Sequence, residues 1–527
     1  MARFVLIISF ILFCSTNLKS QQIYWQQEVH YSIDVTLNDR KNTLSGKLTL
    51  DYINHSPDTL YFLWFHIWPN AYKNTETALY KQLSKDDESK RKLKKAAPGY
   101  LDSLSFTINS QPATFEYDPL YIDIIKLQLP QPLLPNQQII IKSPFFVKLP
   151  SYYSRSGYDG QQYMICQWYP KPAVYDRKGW HAFPYLDQGE FYSEYGSFQV
   201  TITLPEEYVV GATGTLQNKV ESDLYKSIGY NNFTNREKGP AQFYRTKNPG
   251  KTKSLLFKAD RVHDFAWFAD KNFIIQYDTI QLPSGKITEA FTYSQPKGND
   301  AWKNSLRFVK DATKSYSSWL GEYPYPVVQA VEGPKNQSSG GMEYPMITLI
   351  TSPGADDENL DAVITHEVGH NWFYSILGTN ERENPWMDEG LNTYYQFRYE
   401  ATKYHGNTLF GKNIPKELRL LSVTDLLDRI YSMLKTIPAK DPISTSSTGF
   451  ANKDDYSFVV YVKTAIWFFI AETALGKEEL DKGMKAYFEK WKFKHPYPED
   501  FKEALETATG KNLDDLFALL NKEGSLE

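Results

Sequence analysis

The sequence predicts an α+β protein of more than one domain. An all-β region, a saddle or sandwich of sheets, is expected over residues 21–270, and a mainly helical region over residues 271–527. Three observations carry this reading. Tyr31, Ile33, Val35 and Leu37 alternate with polar residues, NDRKN at 38–42 makes a turn, and Leu48, Leu50 and Tyr52 alternate again. That period of two is the mark of strands with one buried face. Similar runs return at 198–204 and elsewhere up to about residue 270, with few helical stretches between. After DFAWFADKNF at 264–273 helical spacing takes over, as at 301–320.

The first twenty residues are not part of the fold. MAR supplies a positive end, residues 4–14 are apolar, and STNLKS is a polar tail ending in a small residue. This is the pattern of an export leader cleaved after Ser20, too short to span a bilayer. Cys14 raises the alternative of a lipoprotein anchor, against which the bulky Phe13 stands. Removing the leader leaves one of the two cysteines, Cys166, so no internal disulfide is expected and folding rests on the core. A chain of 527 residues is long enough for two or three domains with their own cores. A net charge of −4 argues against nucleic acid, and no segment after the leader is read as a membrane span. The mixed charges of KDDESKRKLKK at 85–95 are read as a solvated loop or helix without function.

The chemistry is concentrated in ENLDAVITHEVGHNWFYSILGTNERENPWMDEGLNTYY at 358–395. His366 and His370 are four apart, which on a helix puts both imidazoles on one face, one turn apart, as two ligands of one metal require. Glu367 lies beside the first histidine, where a carboxylate can hold a water at the metal. Asp356 or Asp357 can cap this helix, Leu360, Val363 and Ile364 give it an apolar stripe, and Gly378 can end it. A second helix is expected to start at Asn384 and Pro385, a cap followed by proline at the first helical position. It carries Glu389, and a short loop between the helices would aim that carboxylate at the two histidines. HExxH alone occurs by chance; a glutamate on its own capped helix at this distance makes the zinc reading specific. Two histidines and one glutamate leave a fourth position open, the pattern of a catalytic zinc, one per chain.

These motifs resemble the zinc aminopeptidases of the thermolysin-like gluzincin clan, the family of aminopeptidase N and the leukotriene-hydrolysing enzymes. HEVGHNW at 366–372, WMDEGLNTY at 386–394 and GGMEY at 340–344 carry the resemblance. GGMEY looks like the family's GxMEN exopeptidase motif, with Tyr344 where asparagine is usual. The family opens with a β domain that closes one wall of the active site and continues into a thermolysin-like catalytic domain. The resemblance thus implies a peptide hydrolase acting on substrates with a free N-terminus. Glu367 would be the general base, and Gly340, Gly341, Met342 and Glu343 would form the substrate strand. Glycines let a peptide backbone lie close, and Glu343 can receive a protonated α-amine.

Two further segments carry the resemblance less completely. CQWYPKPAVYD at 166–176 looks like the family segment lining the first substrate pocket, where Gln167 is a candidate contact. The family's second amine-binding carboxylate is replaced here by Tyr169. Amine recognition would rest on Glu343, unless Glu190 or Glu194 contributes; Trp168 and Tyr169 are read as core or pocket wall. YSFVVYVKT at 456–464 follows a polar linker at 437–455. In it Tyr461 matches the family's Y-x-K-G tyrosine, with Thr464 in place of glycine, and would stabilise an oxyanion. Tyr456 is a weaker candidate for the pocket. The other histidines show no ligand spacing. The tail, 477–521, reads as amphipathic helix broken by Pro496 and Pro498. Two alternatives stand beside the aminopeptidase. A thermolysin-type endopeptidase would share the metal site without the amine clamp. A non-catalytic scaffold would be expected to show a damaged ligand or base, and all four positions are intact.

Overall fold

The computed structural model describes residues 24–526 except 190, 247, 298–299, 336–339, 352–355, 406–416, 418–420 and 435–439. The leader with Cys14, and Glu190, therefore lie outside the described residues. Strand β1 (Glu28–Asn38) buries Val29, Tyr31, Ile33, Val35 and Leu37 and turns its other side chains outward. It pairs antiparallel with β2 (Thr43–Ile53), which pairs antiparallel with β3 (Gln138–Lys148). On its other side β1 runs parallel to β4 (Gly196–Pro205), whose outer neighbour is the antiparallel β5 (Thr252–Val262). These long strands are the spine of a nine-stranded sheet, and two smaller four-stranded sheets accompany it among the described residues.

Helix α1 (Lys219–Thr234) interrupts this region and is absent from the sequence reading. Its polarity is inverted: Val220 and Leu224 are exposed, while Gly229 and Asn232 are buried beside Tyr225 and Ile228. Hydrophobic periodicity could not reveal it.

The chain beyond residue 273 also departs from expectation. It forms a hairpin of β6 (Ile274–Gln281) and β7 (Ile287–Ser294) before helix α2 (Ser305–Trp319), and then β8 (Val327–Glu332), β9 (Gly341–Tyr344) and β10 (Ile347–Ile350). These make a five-stranded sheet in the order β6–β7–β8–β10–β9, parallel at β7–β8 and β8–β10. VVQAV and ITLI are buried throughout, so they read as apolar runs and not as alternation. Among the described residues strand β9 ends this order, next to β10.

Helices follow. Helix α3 (Asp357–Gly369) packs on α2 and on α4 (Glu389–Tyr404), and α4 packs on α5 (Thr464–Leu475). Helices α6 (Lys477–Trp491) and α7 (Pro498–Thr509) pack on each other, with Pro498 in the first turn of α7, where its missing N–H costs nothing. One expectation needs correction: the continuous helical stretch Lys453–Leu475, with mean hydropathy 1.6, is long and apolar enough by composition to cross a membrane. Its apolar residues instead fill the core, with Ala465, Trp467 and Phe468 fully buried.

A buried polar cluster ties the β region to both the loop after α3 and the C-terminal helices. Asp176 accepts from Tyr192 and Tyr497 (2.8 and 2.6 Å) and pairs with His181 Nε2 at 2.9 Å. Glu383 lies 3.7 Å from the other ring nitrogen, and Asn380 3.1 Å from it. Burial opposes charge on His181, but Asp176 and Glu383 outweigh it and raise its pKa from 6.5 to about 9. A raised folded-state pKa means that this stabilisation is complete below about 6.5 and lost as the pH rises through about 9. The melting temperature should therefore fall between pH 7 and 9. Asp176→Asn should flatten that fall and cost about 3 kcal/mol at pH 7. Thermal denaturation of both proteins across this range is the check, and an unchanged slope in the variant would contradict the assignment.

Candidate active site

Helix α3 begins where the sequence signals it: the Asp356 carboxylate accepts from the backbone of Asn359 at 2.9 Å. It ends earlier than Gly378, since His370 is already its C-cap and the chain turns sharply through Tyr374, whose φ is 102°. Gly369 sits where α3 meets its neighbours. A Cβ there would come within 2.1 Å of Asn392 Oδ1 and 2.5 Å of the Tyr316 hydroxyl. Glycine therefore allows the close approach of α3 to α4. Asn392 also donates to the carbonyl of His366 at 2.7 Å, locking the two helices at the site. The turn at Pro385–Met387 is 3-10, and α4 proper opens on Glu389.

The three expected metal ligands converge. His366 Nε2 lies 3.1 Å from His370 Nε2 and 3.1 Å from Glu389 Oε2, and His370 Nε2 lies 3.2 Å from the same oxygen. Donors held about 2.0–2.1 Å from a tetrahedral zinc are separated from one another by about 3.3 Å, so the set fits one zinc ion. The far side of each ring supports this. His366 Nδ1 meets Gln396 Oε1 at 2.9 Å, and His370 Nδ1 meets Asp388 Oδ1 at 2.6 Å. Each Nδ1–H is then the donor, and both Nε2 atoms are turned toward the carboxylate, where a metal ion can bind them. Burial holds the His366 ring below its usual pKa, which favours the neutral, ligating form. Burial also disfavours charge on His370, but Asp388, Glu343 and Glu389 outweigh it and push its pKa well up. A cation at Nε2 would satisfy those carboxylates in place of the proton.

Glu367 lines the same cavity, of about 310 Å³, with Gly340, Gly341, Glu343, Tyr456 and Tyr461. A Cβ on Gly341 would stand 2.4 Å from Glu367 Cδ. A side chain at position 341 would therefore displace the Glu367 carboxylate from its present place. Glu343, Glu367 and His370 bring one donor atom each within 4.8 Å of one another. The Tyr461 hydroxyl donates to Glu389 Oε1 at 2.5 Å, from a π-helical turn over Phe458–Lys463.

Other candidates sit elsewhere. Gln167 does not line the cavity: it is buried, donating to Asp264 at 2.7 Å and accepting from Tyr344 at 3.2 Å. Met342 is likewise buried behind the strand, against Arg155. Trp168 and Tyr169 are fully buried. Glu194 receives the backbone N–H of Tyr175 and faces His495 at 3.4 Å, away from the cavity. Sequence reasoning passed over Asp388 and Gln396. Asp388 immediately precedes the ligand Glu389, and Gln396 lies two turns beyond it on the same face of α4, a spacing that was legible. It also passed over Glu381, whose carboxylate shares a 4.8 Å cluster with Glu343 and Asp388.

The fold and this donor set together define a buried site that fits one zinc ion. Residues 306–519 match the peptidase family M1 domain. Leucine aminopeptidase 2-1 of Meyerozyma guilliermondii is 28% identical over 204 residues, 36% of this chain and 32% of that protein. Leukotriene A-4 hydrolase of Xenopus laevis is 27% identical over 205 residues, 38% of this chain and 31% of that protein. The matched part thus spans about a third of these relatives. An M1 zinc metallopeptidase from Deinococcus radiodurans shares the fold over 94% of both chains, with TM-score 0.61 and 14% identity.

Glu367 stands outside the His366, His370 and Glu389 set. Purified protein should bind one zinc per chain; His366→Ala should lose it, because two ligands hold zinc far more weakly than three. Glu367→Gln should keep it. Elemental analysis of the two variants decides, and a zinc-free Glu367→Gln protein would overturn the division.

Proposed function

We propose that the protein is a zinc aminopeptidase that removes single residues from the N-terminus of peptides. One observation carries the reading: Glu343 stands within 4.8 Å of Glu367 and His370. In a peptide, the first nitrogen and the carbonyl carbon of the same residue are only about 2.5 Å apart. A carboxylate this close to the hydrolytic base can hold the α-ammonium while the first peptide bond lies at the metal. An endopeptidase would need the cleft to run on past this point.

Zinc held by His366, His370 and Glu389 would supply Lewis acidity, polarising the scissile carbonyl and lowering the pKa of water. Glu367 then accepts the proton of the attacking water and delivers it to the departing nitrogen, while the C–N bond breaks. The Tyr461 hydroxyl, now resting on Glu389, is the nearby donor for the oxyanion. An extended substrate would lie along β9 in the cavity, and Glu343 stops it after one residue. In the Deinococcus radiodurans metallopeptidase, the same fold is known with a Tyr-Ser-Ala substrate bound.

A charge-assisted contact of this kind is worth roughly ten- to a hundredfold in kcat/KM. Glu343→Gln should lose that factor on amino-acid anilides and nothing on any slow cleavage of N-acetylated peptides. An equal loss on both would mean that Glu343 only braces its loop. Wild-type cleavage of acetylated peptides as fast as free ones would favour the endopeptidase. Tyr461→Phe should lower kcat by about 10²–10³ with little change in KM; near-normal kcat would move the oxyanion role elsewhere.

We also propose export through the leader, on the strength of its charged end, apolar run and polar tail. N-terminal sequencing of protein recovered from the exported fraction should begin at Gln21. A chain still beginning at Met1 would contradict it.

A further inference from the structure

Strand β9 has two faces. Gly341 and Glu343 alternate onto the one that lines the catalytic cavity, and Met342 and Tyr344 onto the other. The strand is four residues long and hydrogen-bonded to β10. Its rear face is turned away from the cavity.

That face is fastened to the β region. Arg155 Nε donates to Met342 Sδ at 2.7 Å, and the Tyr344 ring lies 6.0 Å from that of Phe268. The Tyr344 hydroxyl donates to Gln167 Oε1 at 3.2 Å, and Gln167 Nε2 donates to Asp264 Oδ2 at 2.7 Å. Asp264 is itself immobilised by Lys171 (2.9 Å), the Tyr169 hydroxyl (2.8 Å) and the backbone of Phe265 (2.8 Å). The Lys171 and Asp264 side chains are each only 1% exposed. Gln167 adopts φ 46°, a left-handed conformation that a non-glycine residue keeps only when its surroundings impose it. Tyr344 and Tyr169, two positions at which this chain departs from the aminopeptidase motifs, both give their hydroxyls to this one chain of bonds.

We infer that Tyr344 and Gln167 are positioning residues. The chain Tyr344–Gln167–Asp264 sets, from the β region, where the strand bearing Glu343 lies, and through it where a substrate's ammonium is held. Neither residue touches the substrate. The inference rests on the reading of Glu343 as the amine clamp.

The test is a coupling experiment on the zinc-loaded, full-length enzyme with amino-acid 4-nitroanilides, and with an amino-acid amide as competitive inhibitor. Tyr344→Phe removes one hydroxyl and keeps the ring. It should raise KM for the anilide about 3- to 10-fold, with a smaller change in kcat, and weaken the amide by the same factor. Zinc content should not change. In a Glu343→Gln background the same substitution should have no further effect, because the group being positioned is gone. Gln167→Leu should behave alike if it folds; Tyr344→Phe decides if it does not. An unchanged KM in Tyr344→Phe, or an equal rise with and without Glu343, overturns the inference while leaving the clamp intact. If Glu343→Gln alone costs nothing, the clamp reading fails and takes the inference with it.

Discussion

Two imidazole nitrogens and a carboxylate oxygen held 3.1–3.2 Å apart are the constraint on which the rest of this structure depends. Such a set is repulsive unless a cation lies among its members, and it must be assembled from two helices with no freedom to drift. The surrounding features follow from that need. Asp388 and Gln396 fix the rings by their outer nitrogens, and Gly369 lets the two helices approach. Asn392 bonds across the contact to the carbonyl of His366. Buried aromatic side chains, among them Tyr316, Trp372, Tyr394 and Tyr395, pack this assembly into the core.

The second constraint is distance. A clamp for the substrate's amine selects a terminus only if it lies about one residue from the reacting carbonyl. In the function proposed above, β9 meets this by turning Gly341 and Glu343 onto the cavity that α3 lines. Gly341 does so at the limit of contact, with no room for a Cβ beside Glu367. The same glycine thus leaves the Glu367 carboxylate its place. Its neighbours Met342 and Tyr344 face the other way and draw on the β region, so that the two parts of the chain share one site.

The convergence of His366 and His370 was legible because helical spacing converts residue number into direction, and that of Glu389 because a short connection folds its helix back on theirs. The long strands were legible because one face of each is buried, as in β1. What the sequence hid had lost those signals. Helix α1 buries Gly229 and Asn232 while exposing Val220, and β8 is buried on both faces. Gln167 shows a different limit: its motif places it near the first substrate pocket, but hydrogen-bond partners remote in sequence, Asp264 and Tyr344, turn its amide inward. Polar side chains of that kind are decided by tertiary contacts that no local pattern encodes.

X-ray absorption at the zinc edge tests the central claim most directly, because it reports the identity and distance of the atoms around the metal. The account predicts a four-coordinate shell of nitrogen and oxygen at about 2.0–2.1 Å, with outer scattering from two imidazoles and no sulfur. In Glu389→Ala, whatever metal remains should lose one light-atom neighbour and keep both imidazoles. A six-oxygen shell, a sulfur neighbour from Cys166, or a spectrum unchanged in Glu389→Ala would contradict it.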